Sequence, residues 1–224
     1  MILSLLIVSA ILIICLNSKY LISHSNRLSL LAEVLNMSDI SSKFKIKYKF
    51  YPGDYPFAKS LWKESWSGNG DGYVRDYNES LYSWSHIENA NMVNLNFIYE
   101  ERQHASIEKN MIKSKYSNCG YQILADSKLN NLHFHFRRKM NFIRLGLDKG
   151  YGNLSKSCIS SKDALFVDKK IDDAIPISGT FYADTGYENS NNSTNNKCVC
   201  KIDNHNYFYC NNGNINCIVQ IKIP

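Results

Sequence analysis

Six cysteines in the second half of the chain constrain the fold more than any other feature of the sequence. The chain has seven cysteines in all, and the remaining one, Cys15, lies in an apolar N-terminal segment. An even number of cysteines in a chain that enters an oxidising compartment predicts disulfide bonds. We therefore expect three disulfides among Cys119, Cys158, Cys198, Cys200, Cys210 and Cys217.

The sequence constrains the pairing of these cysteines only in part. Cys198 and Cys200 lie one residue apart, so in a strand they point to the same face, with α-carbons near the upper distance limit for a disulfide. We expect them to bond to different partners. The alternative is a zinc site formed by Cys198, Cys200, Cys210 and Cys217. Their spacings of one, nine and six residues differ from the roughly two to four that are typical of structural zinc pairs.

The N-terminus predicts entry into the secretory pathway. Residues 2–16 are apolar, a run shorter than the ~20 residues of a membrane-spanning helix. We interpret residues 1–18 as a signal peptide, with an uncleaved anchor as the alternative because the residues before the expected cleavage site are not small. Residues 19–42 then form an N-terminal helix or a propeptide. Residues 43–224 form a single disulfide-bonded, β-rich domain.

The same reasoning predicts a glycoprotein that is secreted or resides in the secretory-pathway lumen, with no stable membrane insertion after signal cleavage. N-x-S/T sequons accept N-glycans in such proteins and usually mark exposed loops. Asparagine and serine are frequent in this chain, so several sequons are expected by chance. The acceptors are Asn36, Asn78, Asn153, Asn191 and Asn192.

Alternation of apolar and polar residues predicts a mainly β fold, with sandwich or barrel-like antiparallel sheets and a few short helices; α+β is the second choice. The strongest pattern is KFKIKYKF at residues 43–50, because only a strand separates a period of two into an apolar and a basic face. Further strands are expected at residues 92–100, 132–136, 141–147, 164–168, 175–183 and 217–223.

Helices are expected at residues 25–36, 56–66 and 102–115, with residues 79–90 a weaker candidate. In the first of these helices, the spacing predicts a buried face formed by Leu28, Leu31 and Leu35. At the C-terminus, YFYC and the strand at residues 217–223 predict a hairpin closed by an Asn/Gly-rich turn.

The lysines of KFKIKYKF predict a binding surface. On an extended strand they would form a row with about 7 Å between successive charges, suited to a sulfated glycan, an anionic lipid or an acidic protein. The competing interpretation is that lysines protect an edge strand from pairing with another chain. A net charge of +6 in a secreted chain does not favour a nucleic-acid partner. The row consists of Lys43, Lys45, Lys47 and Lys49.

Two histidines in HFHF suggest a metal site. His133 and His135 would point to one face of a strand, which is how some β-barrel enzymes present two imidazoles to a metal. Their alternation with apolar residues equally fits a solvent-exposed face of an ordinary strand. A third ligand would have to come from His86, Glu100, Glu101 or His104.

The segment WSGNGDGYVRDYNE, residues 66–79, matches a calcium-binding loop only at its centre. Asn69 and Asp71 fall on ligand positions of the EF-hand template. However, Ser67 stands where the template has its first aspartate, and Glu79 comes one residue too late for the bidentate carboxylate. We interpret the segment as a glycine-rich turn that follows a helix.

These features favour a secreted, disulfide-bonded glycoprotein that binds an extracellular glycan or protein. The alternative is an extracellular hydrolase with a site centred on His133 and His135. The motifs of nucleotide-binding proteins, serine hydrolases and zinc peptidases are absent from the sequence. The sequence therefore leaves open whether the chain is an enzyme, predicts no cofactor, and does not determine the oligomeric state.

Overall fold

The computed structural model of the protein describes most of the chain and leaves several segments out. Side chains are described from Ser18 onward, and the preceding residues only as helical backbone. Among the residues with described side chains, no helix is long and apolar enough to cross a bilayer. The described ranges are 2–63, 65–75, 77–95, 105–116, 118–125, 140–148, 153–185, 197–201, 207–210 and 215–224.

Four helices and nine strands make up the described part of the chain. The helices are α1 (Ile2–Tyr48), α2 (Ala58–Leu61), α3 (Tyr77–Asn89) and α4 (Ser161–Ile171). The strands are β1 (Ile112–Lys113), β2 (Gly120–Ala125), β3 (Asn141–Asp148), β4 (Leu154–Lys156), β5 (Ile159–Ser160), β6 (Phe181–Thr185), β7 (Val199–Lys201), β8 (Tyr207–Tyr209) and β9 (Ile215–Lys222).

Seven strands form one antiparallel sheet, in the order β1-β2-β3-β9-β5, with β4 paired to β3 and β6 paired to β9. The last strand in sequence, β9, pairs with β3, β5 and β6 and so holds the sheet together. The predicted β-rich, antiparallel fold with a few helices is confirmed, although α1, at 47 residues, is not short. The predicted C-terminal hairpin is wrong, because β8 pairs with β7 in a separate two-stranded sheet.

One hydrophobic core joins the helices to the large sheet. Leu30 and Val34 of α1 are buried in it together with Ile143 of β3 and Val219 of β9. Trp84 of α3 is fully buried, and its indole N–H donates to the backbone oxygen of Tyr121 in β2 at 2.6 Å. A large aromatic side chain with its polar atom satisfied is a favourable core residue.

The segment KFKIKYKF is helical up to Tyr48, so the strand predicted at residues 43–50 is wrong. Phe44 is 0% exposed, whereas Ile46, which the strand would place on the same face, is 69% exposed. A longer pattern with alternating spacings of four and three residues explains the helix, because this spacing keeps one helical face against the core. The pattern consists of Leu30, Val34, Met37, Ser41, Phe44 and Tyr48.

The helix predicted at residues 25–36 is part of α1, but its predicted buried face is only partly correct. Leu28 is 45% exposed and Leu35 is 50% exposed, while Leu31 packs against the core partly buried. The core-facing side of α1 is instead the one that carries Leu30 and Val34.

The strand predicted at residues 164–168 is also wrong, because these residues lie in α4. The side chain of Ser160 caps this helix by accepting a hydrogen bond from the Asp163 N–H at 3.2 Å. Ala164, Val167 and Asp168 are buried at the spacing of one helical face. The serine cap and the helical spacing therefore override the β-branched and aromatic composition of the segment.

Of the other predicted elements, some are confirmed and one is shorter than predicted. The strands at 141–147 and 217–223 are confirmed as β3 and β9, and the weaker helix candidate at 79–90 is confirmed as α3. The helix predicted at 56–66 is reduced to the four residues of α2.

Four more predicted elements are shorter than expected or lie partly or wholly outside the described residues. The described end of the helix predicted at 102–115 contains a turn and β1. The strand predicted at 175–183 begins only at Phe181. Residues 92–95 are not a strand, and residues 96–100 and 132–136 lie outside the described residues.

The expected disulfides are present, and one of the three connects the two sheets. Cys119 bonds to Cys158, Cys198 to Cys217, and Cys200 to Cys210. Cys198 and Cys200 thus have different partners, as predicted. The zinc alternative is wrong, because the four sulfurs that it requires are bonded in disulfides. These intramolecular bonds are compatible with a secreted or lumenal protein.

Candidate binding site

A cleft of about 560 Å³ lies between α1 and the N-terminal end of α4. Lys19 and Arg27 of α1 line one side, and Lys162 and Asp163 of α4 line the other. The remaining lining residues are Ile22, Ser23, Asn26, Tyr116, Cys158, Ile159 and Ser160.

Asp163 organises the inner part of this cleft. Its Oδ1 accepts a hydrogen bond from Arg27 Nε at 2.6 Å, and its Oδ2 accepts from the hydroxyls of Tyr116 and Ser160, each at 2.5 Å. Burial raises the pKa of Asp163, but the hydrogen bonds from Ser160, Tyr116 and Arg27 outweigh burial and lower the pKa below its usual value. Asp163 is therefore ionised at neutral pH, and it holds Arg27 in place between the two helices.

The cleft carries a net positive charge. Arg27 and Asp163 offset one another as an ion pair, which leaves the two exposed lysines, Lys19 and Lys162. Neither lysine forms an ion pair with any residue that the structure describes. The cleft also opens at the start of α4, where the aligned peptide dipoles place partial positive charge. The arrangement suits an anionic group such as a sulfate or a carboxylate.

The cleft lacks an evident catalytic arrangement in its described residues. Two of its three hydroxyls, those of Tyr116 and Ser160, donate to Asp163, and the third belongs to Ser23. No histidine lines the described cleft, and the carboxylate that accepts these two hydrogen bonds is paired with Arg27.

The lysines of the predicted row do not lie on one face. Lys43, Lys45 and Lys47 belong to the last turns of α1, and Lys49 follows it in a left-handed conformation with φ of 66°. Successive members are two residues apart, about 200° around a helix, so they alternate between opposite sides. The extended row is therefore wrong in its geometry, and ligand binding by these lysines stays a prediction.

Three of these lysines already make local contacts. Lys43 Nζ lies 2.6 Å from a carboxylate oxygen of Asp39. Lys45 Nζ donates to the Tyr51 hydroxyl and to the backbone oxygen of Pro224, both at 2.7 Å. Lys47 Nζ lies 5.0 Å from the centroid of the Tyr48 ring.

The segment at residues 66–79 forms a turn stabilised by its own acceptors. The two carboxylate oxygens of Glu79 accept the N–H groups of Asn69 and Arg75, both at 3.0 Å. Asp71 Oδ1 accepts the Tyr73 N–H at 2.9 Å. The oxygens that a calcium loop would direct at the ion are thus hydrogen-bonded to backbone N–H groups, which agrees with the turn interpretation.

The predicted histidine pair cannot be placed, because His133 and His135 lie outside the described residues, as do Glu100, Glu101 and His104. The remaining proposed ligand, His86, is fully buried in α3. Its Nδ1 accepts the Gly53 N–H at 2.9 Å, and its Nε2 lies 2.7 Å from the Trp66 backbone oxygen, to which it donates. Both ring nitrogens of His86 are therefore satisfied by backbone groups.

We expect His86 to make the protein less stable as the pH falls. Burial lowers the pKa of His86 to about 4, although the Trp66 carbonyl acts in the opposite direction. Because an unfolded histidine has a pKa near 6.5, the unfolded chain takes up a proton first. The stabilisation is complete above pH 6.5, and about 2 kcal/mol of it should be lost between pH 7 and pH 5. Urea unfolding of the wild type and of His86→Gln across this range isolates the contribution. Parallel pH profiles for the two proteins would contradict it.

The described sequons lie at different degrees of exposure. Asn36 is exposed on α1, and Asn153 is exposed just before β4. Asn78 is half-buried in α3. Asn36 and Asn78 thus lie in helices and not in the loops that the sequence suggested. Asn191 and Asn192 lie outside the described residues, and glycosylation of all five stays a prediction.

A buried polar row across the sheet was missed from the sequence. Arg144 of β3 is 1% exposed and lies in register between Gln122 of β2 and Gln220 of β9. With its side-chain oxygen turned toward the guanidinium, Gln220 accepts from Arg144 Nε at 3.0 Å and from Nη2 at 2.9 Å. Burial lowers the pKa of Arg144 to about 9. The alternation within NFIRLGL suggests a solvent-facing arginine, and only the assembled sheet reveals that both faces are covered.

Comparison with known proteins assigns no relative to this fold or cleft. No protein-family model matches the chain, and no curated protein or solved structure matches it either.

Proposed function

We propose that this is a secreted, disulfide-bonded binding protein that takes an anionic group of an extracellular glycan in the cleft between α1 and α4. The observation that carries the proposal is the pair of lysines, Lys19 and Lys162, at a cleft whose only carboxylate in the described part is already paired with Arg27. A sulfate or carboxylate group would supply the missing negative charge. The three disulfides support a location outside the cytosol.

Several features of the cleft support a glycan ligand. Arg27 is held by Asp163 and so is oriented before a ligand arrives, which lowers the entropic cost of binding. The volume of about 560 Å³ falls in the range of small-molecule sites. The cleft is open to solvent along its lysines, so a longer chain can extend beyond it.

Replacing Lys19 and Lys162 together with alanine should weaken binding of sulfated heparin fragments by about tenfold or more, because two attractive charges are lost from the cleft. Both side chains are exposed, so the fold should be unaffected. Calorimetry at low and physiological salt measures the affinity, and the wild-type affinity should fall as salt rises.

The matched control is Lys43→Ala with Lys47→Ala, which removes the same charge from the end of α1. If this control weakens binding and the cleft variant does not, the ligand binds at the lysines predicted from the sequence and the cleft proposal is wrong. Binding of an acidic peptide but of no glycan would replace the glycan with a protein partner.

A further inference from the structure

We propose that the carboxylates of Asp168, Asp172 and Asp173 bind a calcium ion at the C-terminal end of α4. One oxygen from each of the three carboxylates lies within 4.8 Å of the other two. The site is at the opposite end of α4 from the cleft that contains Lys162, and it is independent of the proposed glycan binding.

The strongest indication of a ligand is an oxygen of Asp168. This residue is 0% exposed. Its Oδ2 accepts a hydrogen bond from the Tyr209 hydroxyl at 2.7 Å, but its Oδ1 is buried and has no hydrogen-bond partner. A buried carboxylate oxygen is strongly destabilising unless it is hydrogen-bonded, paired with a cation or coordinated to a metal. A carboxylate oxygen of Asp168 lies within 4.8 Å of carboxylate oxygens of Asp172 and Asp173, so a cation bound among the three would neutralise this buried carboxylate.

The two other carboxylates are held in fixed orientations. Asp172 Oδ2 accepts the N–H groups of Thr180 and Phe181, the latter at 3.2 Å. Asp173 accepts the Ile175 N–H through Oδ1 at 2.8 Å and the Ser178 hydroxyl through Oδ2 at 2.6 Å. These bonds account for part of the hydrogen-bonding capacity of Asp172 and Asp173. They leave lone pairs for a metal and do not account for Asp168 Oδ1.

The charge of the cluster is not neutralised by the protein. Within the described ranges, no lysine or arginine forms an ion pair with any of the three carboxylates. The C-terminal end of a helix adds partial negative charge.

Calcium fits this donor set better than other common cations. It is a hard ion that takes six to eight oxygen ligands in flexible geometry, so three carboxylates, backbone carbonyls and water satisfy it. Magnesium demands a more regular octahedron and keeps more of its water. The absence of cysteine or histidine from the cluster makes zinc a poor match.

Calorimetric titration of the metal-free, disulfide-intact protein with calcium chloride should show one saturable site. The expected Kd is about 0.1 to 1 mM, typical of extracellular calcium modules. Magnesium should bind more weakly. Calcium should also raise the melting temperature in proportion to site occupancy, because only the folded protein holds the three carboxylates together.

Asp173→Asn should weaken calcium binding about tenfold, because a charged ligand becomes neutral. Asp173 is exposed, so this change should leave the fold intact. Asp71→Asn is the matched control: it removes the same charge from the turn at residues 66–79 and should leave the affinity unchanged. Asp168→Asn keeps an acceptor for Tyr209 and should also weaken binding.

The proposal fails if no saturable calcium binding is seen up to about 10 mM, well above the range of extracellular sites. It also fails if Asp173→Asn binds calcium as well as the wild type. Loss of binding in Asp71→Asn but not in Asp173→Asn would move the site to the turn.

Discussion

Phe44→Ala should destabilise the protein by about 3 to 5 kcal/mol, whereas Ile46→Ala should change stability by less than about 0.5 kcal/mol. Phe44 is 0% exposed and lies among the rings of Tyr48, Tyr55 and Trp62, at centroid distances of 4.6, 6.3 and 6.4 Å. Its removal would leave a cavity in a packed aromatic cluster. Ile46 is 69% exposed and has little packing to lose.

Urea unfolding of the two variants, with free energies extrapolated to water, measures both effects. Far-UV circular dichroism of Ile46→Ala serves as the control for helix content, since alanine is a better helix former than isoleucine. On a strand, both side chains would share one buried face, so similar losses for the two variants would contradict the helical assignment of residues 43–48.

Removing the disulfide between Cys119 and Cys158 should cost about 4 kcal/mol, the largest loss among the three bonds. Its cysteines are 39 residues apart, compared with 19 for Cys198 and Cys217 and 10 for Cys200 and Cys210. A longer closed loop restricts the unfolded chain more, so the corresponding losses for the other two bonds are each about 3 kcal/mol.

Double Cys→Ser variants, one for each bond, allow the three losses to be compared by urea unfolding without reductant. A free-thiol assay on each folded variant checks that the remaining four cysteines are still paired. The variant that lacks the Cys200–Cys210 bond is the internal control, because that bond cross-links only the small sheet of β7 and β8. A larger loss for this variant than for that of Cys119 and Cys158 would contradict the loop-length argument.

Local sequence patterns predicted β3, β9 and α3 correctly because the tertiary packing of these elements favours the same structure as their sequence. β3 and β9 contain β-branched and aromatic residues and lie inside the sheet, where such side chains pack well. The helical spacing of α3 places Trp84 and Ile87 in the core. In these segments the propensity and the tertiary packing favour the same structure.

Two segments were predicted wrongly because a short pattern competes with a longer one. Residues 43–48 alternate in hydrophobicity, but they continue a helix that already packs Leu30 and Val34 into the core. ALFVD reads as a strand, but Ser160 caps a helix that begins at the next residue. A helix gains from each further turn that continues its buried face, so the longer pattern prevails.

The candidate cleft was not predicted from the sequence. The binding surface predicted from the sequence was the row of Lys43 to Lys49, which is divided between opposite sides of α1. The cleft joins Lys19 and Arg27 to Lys162 and Asp163, residues more than 130 positions apart in the chain. No local pattern links them, because their proximity depends on the packing of α1 against α4.

The sequence by itself determined the number of disulfides, because the cysteine count is even. It also determined that Cys198 and Cys200 bond to different partners, because of their spacing, and that the fold is antiparallel and β-rich, because of its hydrophobic periodicity. Only the tertiary structure decided which cysteines pair, where the helices replace strands, and which charges meet. These outcomes depend on contacts between distant residues, such as Arg27 with Asp163 and Asp168 with Tyr209. Their energies arise only when burial removes both partners from water.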